Sequence, residues 1–158
     1  MKKVFVIREN PIPFTKEGYQ HVLDEQKRML SDRPDAVENL RKAREMGDLS
    51  ENGYYRAARQ RLTFIDAQLR RLERLRKLGV VVHHQGTDNI NIGNTVVVQE
   101  GEKKYTYTIV GGYESDPSKM TISHISPIGK ALMHKKAGES FDVQTPRGSK
   151  RFTVLSIE

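Results

Sequence analysis

The stretch AREMGDLSENGYYRAA, residues 43–58, joins two runs with the same spacing. Upstream, Tyr19, Val22, Gln26, Met29, Arg33, Ala36, Leu40 and Ala43 recur at alternating steps of three and four, and six of these eight are apolar. Downstream, Tyr55, Ala58, Leu62, Ile65, Leu69 and Leu72 do the same, and Leu75 and Leu78 extend the stripe on an adjacent row. Such a repeat puts a narrow apolar seam on one helix face, suited to packing against another helix. Gly47 fits the end of the first helix, and Asp48 with Glu51 fits the cap of the second. A link this short makes the helices antiparallel neighbours. A helix over 49–78 would be about 45 Å long at roughly 1.5 Å per residue.

Working outward, Thr15 precedes KEGYQHVLDEQKRML, with Glu17 in the first turn, which reads as a helix start. Pro34 lies inside the first run and predicts a kink or brief break near 31–34. Residues 4–7, VFVI, read as a short strand or apolar arm, and the two prolines of NPIPF deny helix there. Gly79 is a plausible stop for the second helix. Beyond it the period falls to two: Val96 and Val98, then Tyr105, Tyr107 and Ile109, with Gly101 between them as a hairpin turn. The last forty residues read as strand, short helix, strand, turn and strand, with PRG as the final turn. The expectation is an α+β protein: a helical hairpin over 1–82 and a small, mostly antiparallel β domain over 83–158.

Charge and composition narrow the function. The 158 residues carry a formal charge of +7, and 30% are charged. Residues 1–82 hold 18 Lys and Arg against 12 Asp and Glu, whereas 83–158 hold 9 against 8. The basic half is therefore the hairpin, and the excess points to a polyanionic partner such as nucleic acid. No cysteine is present, which excludes disulfides, thiolate zinc sites and Cys nucleophiles. MKKVFVIREN has too few consecutive apolar residues for a signal-peptide core, and no run reaches the length of a membrane span. These features fit a cytoplasmic protein with no membrane partner.

Against that basic background, Asp48 and Glu51 sit at the turn of the hairpin. One reading is purely structural, a capping pair of the kind found at many helix starts. The other is functional. Asn52, Tyr54 and Tyr55 crowd the same turn, and Arg44, Arg56 and Arg59 flank it. Acid at the point with arginines behind it suits a probe entering a site that holds phosphates and a divalent ion. Two carboxylates alone hold Mg²⁺ poorly, because that ion keeps its water and is normally shared with phosphates or other carboxylates. The tip would then complete a metal site half-built by a partner, as in two-metal phosphodiester cleavage.

The motif AREMGDLSENGYYRAARQRLTFIDAQLRRLE resembles the centre of the Gre transcript-cleavage factors, GreA and GreB. YTIVGGYESDP and the C-terminal block containing SPIGKAL and TPRG resemble their second half, in the same order. The likeness runs from about Pro13 to the C-terminus and is closer to GreA. It implies a coiled-coil hairpin followed by a domain of FKBP-like fold. It also implies a monomeric elongation factor that docks on the rim of RNA polymerase and passes the hairpin down the secondary channel. There it stimulates cleavage of the backtracked RNA 3′ end by the polymerase's own Mg²⁺-dependent activity. The factor would bind no cofactor alone and would not itself be an enzyme.

Carried over by position, Asp48 and Glu51 direct the shared Mg²⁺, and Asn52 and Tyr55 support the tip. Arg44 and Arg59, with Arg56, contact RNA, while Ser126, Pro127 and Ile128 belong to the docking loop. One departure concerns the residues after Glu51-Asn52. The family's usual Ala followed by an acid and Tyr is here Gly53-Tyr54-Tyr55, so one acid is lost. Two alternatives stay open: a channel-occupying regulator that inhibits, and a general nucleic-acid-binding coiled coil. His83 and His84 lack a third ligand at metal spacing, and Ser126 has no evident base beside it.

Overall fold

The computed structural model describes residues 10–46, 53–83, 86–146 and 148–158. Expected elements at 4–7, the Gly47 helix end and the Asp48–Glu51 capping pair lie outside the described residues. Strand β1 (Ile12–Phe14) leads into α1 (Lys16–Glu45), and α2 (Gly53–Leu78) is followed by β2 (Gly79–Val81). β1 and β2 form a two-stranded parallel ladder, with Ile12 opposite Gly79 and Phe14 opposite Val81.

The seam residues behave as their spacing requires. Val22, Met29, Ala36, Leu40 and Ala43 are buried on α1, and Ala58, Ile65, Leu72 and Leu75 on α2. Polar seam positions are bridged across the pair. Gln26 Nε2 donates to Glu73 Oε2 at 2.8 Å, and Arg33 Nε donates to Asp66 Oδ1 at 2.8 Å. Moving seven residues forward on α1 moves the partner seven back on α2, so the helices are antiparallel.

Of the kink or brief break expected near 31–34, no break occurs: α1 is continuous with Pro34 inside it. Proline there removes one backbone donor, which costs about 3 kcal/mol in a helix interior. Pro34 is exposed, while Met29 and Ala36 on either side stay buried and Arg33 holds Asp66. Tertiary packing of the seam therefore carries the helix through the proline.

The second layer of structure is a five-stranded sheet in the order β5-β4-β3-β7-β6. Its strands are β3 (Thr95–Glu100), β4 (Lys103–Val110), β5 (Thr121–Ser123), β6 (Ser140–Thr145) and β7 (Gly148–Ile157). All pairings are antiparallel except β4 with β5. Val96 faces Tyr107 and Val98 faces Tyr105 across β3 and β4, so the period-two residues share one face. Gly101 turns the chain between them at φ +58°, a conformation that favours glycine. A short helix α3 (Pro127–Leu132) contributes Leu132 to a core containing Val96, Val98, Ile109, Phe141, Phe152 and Val154. The fold is thus α+β, with a long helical hairpin and a curled, mostly antiparallel sheet.

The chain groups into two compact units, one of residues 20–78 and the other of the residues before and after it. β1, the first turn of α1 and β2 group with the sheet. The β1–β2 ladder joins the residues on either side of the hairpin, a long-range pairing that periodicity does not reveal.

One buried polar residue ties the sheet unit together. Asn94, 5% exposed, accepts from Asn91 N at 2.8 Å and donates to Gly86 O at 3.0 Å and Glu158 O at 3.2 Å. Leaving buried polar groups unsatisfied costs about 1–3 kcal/mol. Asn94→Ala is therefore expected to lower the unfolding free energy by that amount, read as a lower urea midpoint at an unchanged m-value. An unaltered midpoint would show that solvent replaces these bonds.

Candidate functional site

The tip residues Asp48, Glu51 and Asn52 lie outside the described residues; their flanks do not. Arg44 is on the last turn of α1, and Arg56 and Arg59 are on the first two turns of α2. All three are exposed. Tyr55 is half-buried against the cluster of Leu40, Ala43 and Ala58, with Leu62 beside it. Its ring braces the two helices just behind the turn, which accounts for an aromatic residue at a seam position.

The arginines continue along the hairpin. Arg56, Arg70 and Lys77 are spaced by fourteen and seven residues and so fall on one row of α2. The adjacent row holds Arg59, Asp66 and Glu73, again seven apart. Its two acids are engaged. Asp66 is held by Arg33, and Glu73 by Gln26, by Arg76 at 2.9 Å and by Lys77 at 3.4 Å. The hydrogen bond from Arg76, with that from Gln26, holds the Glu73 carboxyl down to about 2. Glu73 thus stays ionised, and its contribution is lost only as pH falls below about 4.5 towards 2. On α1, Leu30, Val37 and Arg44 also lie seven apart, and both apolar members are exposed. Lys77 is thus paired with Glu73, while Arg56 and Arg70 on the same row are exposed, a surface suited to phosphates.

Ser126, Pro127 and Ile128 are brought together at the start of α3. Ser126 is its N-cap: the hydroxyl accepts from Gly129 N at 3.0 Å and donates to Ser123 O at 2.7 Å. This commits the serine to a structural bond and argues against a nucleophile. Pro127 occupies the first helical position and is exposed, as is Ile125 at 56%. Ile128 is half-buried against the sheet core. The capped loop thus exposes Pro127 and Ile125, while Ile128 is turned partly into the core.

Gly129 makes that geometry possible. A Cβ there would lie 2.0 Å from Ser123 O and 2.9 Å from Ser123 C, both backbone atoms. Gly129→Ala is expected to destabilise the protein by about 1–3 kcal/mol through overpacking. Calorimetry checks this as a lowered Tm; an unchanged Tm would mean the loop relaxes freely.

Among the described residues, no three His, Asp or Glu side chains gather as a metal site, and no helix is long and apolar enough to cross a membrane. The described residues thus form a two-unit α+β protein with exposed arginines on its hairpin and a capped loop at the start of α3.

Comparison with known proteins gives the family. Residues 12–78 match the model "Transcription elongation factor, N-terminal", and residues 85–158 match "Transcription elongation factor, GreA/GreB, C-term". Transcription elongation factor GreA of Rhodospirillum rubrum is 40% identical over 151 residues, spanning 92% of this chain and 96% of that protein. GreA of Syntrophobacter fumaroxidans is 39% identical over 153 residues, spanning 92% and 97%. A solved structure, the GreA factor homolog 1 (Gfh1) protein of Thermus thermophilus, is 25% identical over 94% of this chain and 99% of that one, with a TM-score of 0.45. The chain belongs to the GreA/GreB family of transcription elongation factors.

Proposed function

We propose that this protein binds RNA polymerase in the cytoplasm and stimulates cleavage of the RNA 3′ end in backtracked complexes. The observation that carries the reading is the pair of family matches, in order, across both halves of the chain. The loop at Ser126, Pro127 and Ile128 docks on the polymerase rim, and the hairpin enters the secondary channel. Arg44, Arg56 and Arg59 neutralise phosphates of the extruded strand, with Asn52 and Tyr55 supporting the turn.

Asp48 and Glu51 supply carboxylate oxygens to a Mg²⁺ shared with the polymerase. Two carboxylates suit a shared ion and fall short of a complete donor set. When bound, that ion activates water for attack on the phosphodiester. The factor's own residues bind, orient and bring charge, and the hydrolytic centre is the polymerase's.

The test is a polymerase stalled in a backtracked state, with transcript length followed after addition of the protein. Transcript shortening that depends on the factor supports the reading. Slower cleavage or slower nucleotide addition would favour an inhibitory channel regulator. Failure to bind polymerase, with strong salt-dependent binding to free RNA, would favour a general nucleic-acid-binding coiled coil.

A further inference from the structure

The first turn of α1 is held by a side chain that the functional reading above leaves unused. Thr15 caps this helix: its hydroxyl accepts from Gly18 N at 3.0 Å, and its carbonyl accepts from Tyr19 N at 3.0 Å. Thr15 in turn donates to Glu114, ninety-nine positions along the chain. Its amide reaches Oε1 at 3.0 Å and Oε2 at 3.3 Å, and its hydroxyl also donates to Oε2. Gly111 N donates to the same Oε1 at 2.9 Å. One carboxylate therefore collects three donors, two from the helix cap and one from its own loop. A negative charge at this end is further favoured by the helix dipole.

The packing around the carboxylate is equally specific. A Cβ on Gly18 would fall 1.7 Å from Glu114 Oε2. A Cβ on Gly111 would fall 2.3 Å from Oε1 and 2.2 Å from the backbone oxygen of Pro13. Glycine at 111 lets the loop backbone approach Pro13 this closely, and glycine at 18 leaves room for the Glu114 carboxylate itself. Beside them, the fully buried Phe14 lies 5.9 Å from the Tyr19 ring and 6.5 Å from that of Tyr113. Since α1 is unbroken from Lys16 to Glu45, what holds its first turn holds the start of the hairpin.

We propose that Glu114 is a positioning residue: its carboxylate locks the Thr15 cap and first turn of α1 to the 111–114 loop, so that the hairpin delivers its far end productively. The assignment rests on the cleavage reading above. Misplacing a catalytic group by about 1 Å can cost about 100-fold in rate, so a loosened helix start should tell on turnover before it tells on binding.

The experiment uses the full chain and four variants: Glu114→Ala, Glu114→Gln, Gly18→Ala and the Glu114→Ala/Gly18→Ala pair. In Glu114→Ala, amides 15–19 should exchange at least about tenfold faster, with β3, β7 and the hairpin centre unchanged. Cleavage at saturating factor should fall about tenfold or more, while the half-saturating concentration moves less than about threefold. Glu114→Gln, which keeps the Oε1 acceptor, should recover part of the loss. Gly18→Ala should displace the carboxylate and lower cleavage alone, yet add nothing in the Glu114→Ala background, because both remove one contact.

Unchanged exchange at 15–19 would overturn the lock itself. Faster exchange with undiminished cleavage would overturn the positioning role, as would additive losses in the pair. A wild-type protein that leaves the backtracked transcript uncut would instead sink the cleavage reading and this role with it, an outcome distinct from losses confined to the variants.

Discussion

Asp48→Asn or Glu51→Gln is expected to reduce stimulated transcript cleavage by about 10²–10³-fold, the scale seen when one group stabilising transition-state charge is removed. Each substitution keeps size and polarity but removes the negative charge that draws a divalent ion. If the two carboxylates act on one ion, as proposed, either change alone should remove most of the effect, and the double variant should be little worse. Binding to polymerase should stay within about threefold, because the proposed docking surface at residues 126–128 does not include these side chains. Capping makes a competing prediction. Asn is as good an N-cap as Asp, so Asp48→Asn should leave helix stability within a few tenths of a kcal/mol. Undiminished cleavage by both variants would reduce the pair to a cap and refute the shared-metal mechanism. Cleavage lost together with a large drop in thermal stability would show that the acids act on the fold.

The second large effect concerns the basic flank. Arg56→Ala with Arg59→Ala should weaken binding to a complex with extruded RNA about tenfold at low salt. Two lost phosphate contacts should also flatten the salt dependence, by about 0.7 in the log–log slope per contact for a single strand. Alanine favours helix, so α2 should not be compromised. The measurement is the half-saturating concentration of factor between about 50 and 200 mM salt. An unchanged slope would mark these arginines as a solvated coiled-coil face. A complex whose RNA is not extruded supplies the control, and there the variant should bind as wild type does.

Much of this molecule was legible before any coordinates. Alternating steps of three and four dictated which face of each helix is buried, and every apolar seam residue from Val22 to Ala43 lies inside. Alternation at period two likewise put Val96, Val98 and Ile109 in the sheet core. The motif at 43–58 carried the family and so the candidate acids. Pro34 does not break α1: its local cost is visible in the sequence, while the packing that offsets it is not. Arg33 and Gln26 occupy apolar-seam positions, and only the facing Asp66 and Glu73 explain why polar residues are tolerated there.

The sequence by itself determined the two helices, their antiparallel return, the alternating strands and the charge carried by the hairpin, since each follows from interactions among residues close along the chain. Tertiary structure alone decided that β1 pairs with β2, that Asn94 binds the chain end, and that Glu114 closes on Thr15. Those contacts join residues tens of positions apart, where periodicity carries no signal. What selects them is the folded chain's demand that every buried donor find an acceptor.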